Sequence, residues 1–267
     1  MRYKVIRRDK NSLSLLLEGI PVIVANSIRR VALTELPVMA VEYVFVYENS
    51  SIMDDQILAH RIGFIALTTN PGDYVLHDNC DCGVEYGCSK CSVTLNLEVE
   101  AKDARVVYSR DIKSDDASVV PASPDIPIVK LAPGQRVLLE MRALLGCGEN
   151  HAKFQPVSQA VVRGVPIFEV DEKICDECAI CVKECPIEVI ALNPKPVLTD
   201  LYLCTTCKIC QETCPPEAIT VAIDESSSIL TLESNGQIPP EKILEESLSI
   251  LIGKADQLKD FFDKVNF

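Results

Sequence analysis

The chain has 267 residues, 48% of them hydrophobic and 24% charged, with a formal net charge of −13. That length can bury a large core and suggests about two domains. No run approaches the ~20 apolar residues that cross a bilayer, and the basic start MRYKVIRRDKNS lacks the apolar stretch of a secretion signal. The acidity leaves no electrostatic footprint for gripping nucleic acid unaided, so a cytoplasmic protein without strong nucleic-acid binding of its own is expected.

Two strand-like runs open the chain, YKVIRR and SLSLLLEGI, separated by a polar break at Asp9 to Asn11. PVIVANSIRRVALTEL then reads as a helix with Pro21 in its first turn, Val24, Ile28 and Val31 along one stripe, and Pro37 beyond its end. Arg29 and Arg30 leave that stripe and are expected to face solvent or a partner. A long β run, VMAVEYVFVYE, follows, and then a helix and turn in DDQILAHRIGFIAL.

Thirteen cysteines is a high number for a cytosolic chain, where clustered thiols more often bind metal than pair as disulfides. The first quartet, Cys80, Cys82, Cys88 and Cys91, has C-x-C-x5-C-x2-C spacing with Gly83 and Gly87 to let the chain turn. Four thiolates on a short loop suit a closed tetrahedral zinc site with no open position for catalysis. Two disulfides, or free thiols, are the alternatives; His77 reads as a solvated loop residue. Cys147 stands alone and reads as a small buried hydrophobe.

Beyond this loop SVTLNLEVEA alternates cleanly, with Val93, Leu95, Leu97 and Val99 on one face of a strand. Pro121, Pro124, Pro127 and Pro133 mark a looped region before the strand RVLLEMRALLG. SQAVVRGVPIFEV leads into the remaining cysteines, and AITVAIDESSSILTLES leaves them as an expected hairpin closed by its polar turn.

Those cysteines form two quartets, Cys175, Cys178, Cys181 and Cys185, then Cys204, Cys207, Cys210 and Cys214. Both read C-x2-C-x2-C-x3-C-P, the spacing of bacterial two-cluster ferredoxins, in which the fourth thiolate ligates the other cluster. By that rule one cluster takes Cys175, Cys178, Cys181 and Cys214, and the second takes Cys204, Cys207, Cys210 and Cys185. The segment is an internal repeat, CPIEVI at 185 aligning with CPPEAI at 214. Two structural zinc sites are the alternative, although zinc requires neither the third closely spaced cysteine nor the C-P ending. One or two iron–sulfur clusters are expected, of the 4Fe-4S type, or 3Fe-4S where a fourth thiolate is lost.

After Pro239 and Pro240, residues Leu244, Leu248, Leu251, Ala255, Leu258, Phe262 and Val265 recur at alternating steps of four and three. That is the seam of a helix lying along a neighbour. Ile243, Ile252 and Phe261 widen it beyond one contact line, which points to a partner chain as well as the helix's own domain.

The stretch ANSIRRVALTELPVMAVEYVFVYENSS, followed by LAHRIGFIAL, resembles the α-like subunits of DNA-directed RNA polymerase, and with the ferredoxin-like insert it resembles the archaeal members of that family. The likeness spans nearly the whole chain. It implies an α+β protein: a discontinuous α-like dimerisation domain (1–46, 155–170 and 220–267), an inserted mainly-β domain (47–154), and an inserted ferredoxin-like iron–sulfur domain (171–219). It further implies a heterodimer with the small subunit L, addition of subunits N and P, and recruitment of the large catalytic subunits. Asn26, Arg29 and Arg30 match the family helix near those large subunits. The loop at 80–91 matches in position the zinc loop of the eukaryotic counterpart, with a different spacing between its second and third cysteines.

No catalytic residue is found: there is no D-x-D cluster flanked by glycine, and Asp54, Asp55, Asp115 and Asp116 read as helix-start or loop residues. The expected function is therefore that of a non-catalytic scaffold in a nucleotidyltransferase, its clusters mainly structural. A two-cluster electron-transfer protein is the alternative, but no G-x-G-x-x-G after a strand offers a redox partner site. A redox-sensing regulator of polymerase assembly is the intermediate reading.

Overall fold

The computed structural model describes residues 2–265, the side chain of Val265 lying outside the described residues. In chain order the strands are β1 (Arg2–Arg8) and β2 (Ser12–Glu18), followed by helix α1 (Val22–Thr34), β3 (Val38–Asn49) and helix α2 (Asp55–Gly63). Next come β4 (Ser92–Glu100), β5 (Arg105–Tyr108), β6 (Lys113–Ser114), β7 (Pro127–Leu131), β8 (Arg136–Gly146) and β9 (Val157–Val170). The one-turn helix α3 (Ile180–Lys183), β10 (Ile190–Leu192), β11 (Pro196–Leu198), the one-turn helix α4 (Ile209–Glu212), β12 (Ile219–Ser234) and α5 (Pro240–Val265) complete the chain. Helices and sheets together make the fold α+β, as expected. No described helix is long and apolar enough to cross a membrane.

The backbone separates into two compact units. The first comprises Met1–Arg8, Leu13–Asn26 and Val161–Thr231. Its four-stranded sheet has the order β1-β2-β12-β9, and the β10-β11 hairpin stands beside it in sequence. Leu16, Val165 and Ile229 pack together within this sheet, joined by Ile6 and Tyr202. Tyr202 also accepts a hydrogen bond at its carbonyl from the Arg163 guanidinium and lies under Lys4 as a cation–π partner. The cysteine-rich segment is thereby tied to the sheet by its linker.

The second unit comprises Asp9–Ser12, Ser27–Ala160 and Leu232–Phe267. Its main sheet runs β3-β8-β4-β6. The alternation of β4 places Leu95 opposite Met141 and Leu97 opposite Leu139 of β8, and all four are buried with Met39, Leu58 and Ile62 in one core. Asp54 caps α2 by accepting from the Gln56 backbone N–H at 2.9 Å, the helix-start role read for it. Arg61 on the next turn donates from Nε to the Ile128 carbonyl at 3.0 Å, pinning α2 to β7.

Three expectations need correction. Residues 218–234 do not form a hairpin: Ile219–Ser234 is a single strand. A tight hairpin turn requires residues at positive φ, and none of the residues with positive φ lies between Asp224 and Ser228. Asp224 instead satisfies its neighbours locally, accepting from the Ser226 N–H at 2.8 Å, while the Ser226 carbonyl accepts from Gly19 N–H at 3.0 Å. Val24 does not belong to the buried stripe of α1; it is exposed, and Ala25 joins Ile28, Val31 and Ala32 inside. Close helix packing takes the small residue and turns the β-branched one outward. Pro127 heads strand β7 rather than lying in a loop, a position where its missing N–H costs nothing.

Gly148 marks a close approach, since a Cβ there would collide with the Leu33 backbone carbonyl oxygen and meet Gln155 Cγ at 2.9 Å. A backbone atom cannot rotate away. Gly148→Ala is expected to destabilise the chain by about 2 kcal/mol, seen as a thermal midpoint lower by roughly 5 °C in calorimetry.

Candidate metal centres

The loop between α2 and β4 brings its four thiols together. Cys80 and Cys88 stand 3.8 Å apart, Cys88 and Cys91 3.8 Å, and Cys82 and Cys91 3.9 Å, sulfur to sulfur. Tetrahedral zinc with bonds of about 2.3 Å has S···S edges of about 3.8 Å, so the spacing fits one closed tetrahedral ion. Free thiols at these separations are not disulfides, and all four are unpaired by covalent bonds. The backbone supports the arrangement: Cys88 N–H points at Cys91 Sγ (3.2 Å) and Lys90 N–H at Cys88 Sγ (3.4 Å).

Two local features hold the loop in that shape. Gly87 has φ +79, and a Cβ there would meet Ser92 Cβ at 2.7 Å and Leu144 Cδ2 at 3.0 Å, so both conformation and space demand glycine. Tyr86 packs edge-on against Tyr43 and Phe45 of β3, at 5.1 and 5.2 Å between centroids. The Lys90 backbone N–H lowers the Cys88 thiol to about 7, whereas burial pushes Cys91 up to about 12. His77 is occupied elsewhere, its Nε2 2.9 Å from the Val84 carbonyl. Cys147, half-buried, directs its Sγ to the Glu35 carbonyl at 3.4 Å and belongs to no group.

The two later quartets are built differently. Among the described residues their thiols form no cluster tight enough for a single ion; a cubane core is much larger than an ion and holds its thiolates further apart. Cys185 lines one apolar cavity with Cys204, Cys207 and Cys210, walled by Phe168, Ile187, Ile190, Leu198 and Val221. Burial pushes the Cys210 thiol up to about 11, and Cys204, Cys207 and Cys185 add to the rise. Burial likewise raises Cys181, with Cys178 and Cys214 contributing. Cys185 therefore lies with the first three thiols of the later quartet, and Cys214 lies close enough to Cys181 to raise it. The apolar walls and convergent thiols around Cys185, Cys204, Cys207 and Cys210 suit an iron–sulfur core.

The repeat seen in sequence extends to the backbone. Among the described residues six other than glycine have positive φ, and they form three pairs 29 residues apart: Glu177 with Thr206, Ala179 with Lys208, and Glu188 with Glu217. α3 and α4 follow at the same offset. In each half the middle thiol, Cys178 or Cys207, is exposed while Cys181 and Cys210 are buried. None of these conformations was legible beforehand, because no glycine announces them. Also missed was Lys195, whose Nζ donates to the Cys175 carbonyl at 2.8 Å and pairs with Glu177 at 3.0 Å.

The expected partner surface divides along α5. Ile243 and Ser247 are fully buried, and Leu244 and Leu251 are half-buried. Leu248 is 39% exposed, Leu258 58% and Phe262 51%, with Ile252 and Phe261 both at 61%. Ala255 is exposed too, and the side chain of Val265 lies outside the described residues. Lys254 anchors the middle of the helix to Glu35 at 2.5 Å. On α1, Asn26 and Arg30 are exposed and Arg29 half-buried.

Comparison with known proteins places both halves of this description. The family model of the RNA polymerase Rpb3/RpoA insert domain matches residues 45–172, and that of the 4Fe-4S dicluster domain matches residues 167–220. DNA-directed RNA polymerase subunit Rpo3 of Methanothermobacter thermautotrophicus is 40% identical, over 91% of this chain and 92% of its own. Rpo3 of Methanosphaera stadtmanae is 35% identical over 99% of each chain, and that of Pyrococcus furiosus is 34% identical over 95% and 94%.

Two outcomes are expected of the cysteine sites. Zinc binding at 80–91 would have to displace the proton of Cys91, whose thiol burial pushes up to about 12, so affinity falls at least about tenfold for each unit of pH below 7. A competitive chelator titration at pH 6 and 7 measures this, and Cys88→Ser should weaken zinc by about 100-fold or more at either pH. Ala179→Gly relieves a left-handed alanine and should stabilise the insert by about 0.5–1 kcal/mol, read from denaturant unfolding followed by cluster absorbance.

Proposed function

The chain belongs to the archaeal family of DNA-directed RNA polymerase subunit Rpo3, and we propose that it is the non-catalytic assembly subunit on which such a polymerase is built. What carries this reading is the full-length likeness to Rpo3 chains, 40% identical over 91% of the residues in one relative. It acts in nucleotidyl transfer only as part of the complex. The carboxylates are committed to structure: Asp54 caps a helix, and Asp116 accepts from Tyr74 and Ser118.

On this reading residues 1–46, 155–170 and 220–267 make the dimerisation domain, 47–154 the inserted domain, and 171–219 the iron–sulfur domain. The exposed seam of α5 receives the small subunit L, burying Leu248, Leu258 and Phe262. Asn26, Arg29 and Arg30 face the large catalytic subunits, and subunits N and P complete the platform, in the cytoplasm. A chain with net charge −13 leaves the grip on DNA to those other subunits.

Two 4Fe-4S clusters occupy the insert, one on Cys175, Cys178, Cys181 and Cys214, the other on Cys204, Cys207, Cys210 and Cys185. Zinc occupies Cys80, Cys82, Cys88 and Cys91. Their role is chiefly structural. A small segment with little core gains its folding energy from bound metal, because the unfolded chain has no preformed site. The ligand exchange supports this, since neither half can keep its cluster if the other unfolds.

The test is co-expression with the small α-like partner. A stable heterodimer is expected. Leu258→Asp with Phe262→Asp should abolish it, lowering affinity by at least about 100-fold for two buried anchors, while the thermal midpoint of the chain alone stays within about 2 °C because both sites are exposed. A chain that stays monomeric beside every other polymerase subunit overturns the assembly reading.

A further inference from the structure

The two halves of the insert form a built-in comparison, because their backbones match while their charges do not. Left-handed residues recur at 177 and 206, 179 and 208, and 188 and 217. The turn hydrogen bond from Glu188 N–H to Cys185 O, at 3.1 Å, recurs from Glu217 N–H to Cys214 O at 3.0 Å. Yet the loop CDECAIC is matched by CTTCKIC. Asp176 is replaced by Thr205, Glu177 by Thr206 and Ala179 by Lys208.

These side chains sit at the metal-binding ends of the loops. The Asp176 carboxylate accepts from the Cys178 N–H at 3.3 Å. Thr205, Thr206 and Lys208 line the same cavity as Cys185, Cys204, Cys207 and Cys210. Lys195 offsets one negative charge of the first loop through its ion pair with Glu177 at 3.0 Å. Between the two seven-residue loops themselves, the first is therefore left with one net negative charge and the second with one net positive charge.

Resting on the two-cluster reading above, we propose that the clusters are electronically inequivalent and that the one on Cys204, Cys207, Cys210 and Cys185 takes the first electron. The electron comes from a low-potential one-electron donor, which is oxidised by one unit. The cluster becomes one charge more negative, and no bond or proton is exchanged. Lys208 stabilises that added charge, while Asp176 and Glu177 oppose it at the other site.

Solvent limits the size of the effect. Asp176, Glu177 and Lys208 are exposed, so each charge, several ångströms away in a water-like dielectric, changes the reduction equilibrium by about threefold. Two charges of difference then separate the clusters by about tenfold, which for a one-electron couple is about 59 mV.

The experiment uses the full chain reconstituted anaerobically, with iron and sulfide counted first and a dithionite redox titration then followed by electron paramagnetic resonance. Two clusters per chain and two reduction steps about tenfold apart are expected. Lys208→Ala should lower the upper step by about threefold and leave the lower one in place. Asp176→Thr with Glu177→Thr, which copies the partner loop, should raise the lower step and close the gap. Coincident steps in the parent chain, or an upper step that follows the Asp176 and Glu177 changes, overturn the inference and leave two clusters standing. Iron for only one cluster overturns the two-cluster reading, and the inference with it.

Discussion

The insert brings thiols of its two halves together across the internal repeat. Cys185 sits with the first three cysteines of the later quartet, and Cys214 acts on Cys181 together with Cys178. The six left-handed residues that shape its loops have no glycine to relieve them. Such conformations cost roughly 1 kcal/mol apiece for residues with a Cβ. A segment with only a few buried apolar residues around Cys181, Cys210 and Cys214 can bear that cost because metal–thiolate bonds form only in the folded arrangement.

The second unit rests on a different economy. Its large apolar core, centred on Leu95, Leu97, Leu139 and Met141, is stable through burial, and the loop at 80–91 is a local addition to it. Cys91 is buried beside Ser92 at the start of β4, so the loop grows directly from a strand of the apolar core. Tyr86 then clasps β3 from outside. A metal there would fix a polar loop to a sheet that burial already stabilises, whereas in the insert it would help form the fold.

Much of this was legible because the chemistry is periodic or spaced. The alternation of β4 gave its inward face, the seam after Pro240 gave α5, and cysteine spacing gave the thiol group at 80–91 and the 4Fe-4S dicluster segment. What escaped was set by context. The polar run Asp224 to Ser228 looks like a turn, yet none of its residues takes positive φ, and it stays extended beside Gly19. Val24 looks like core, but Ala25 fits the close approach. Lys195 is remote in sequence from Cys175, and only folding of the β10-β11 hairpin brings it to that carbonyl.

The far half of α5 has a cost for the newly made chain. Ile252, Leu258, Phe261 and Phe262 stand in water on a helix about 39 Å long. A surface of that kind is a target for chaperones, proteases and self-association until it is covered. A copy of the chain on its own carries that liability for as long as this face stands in water.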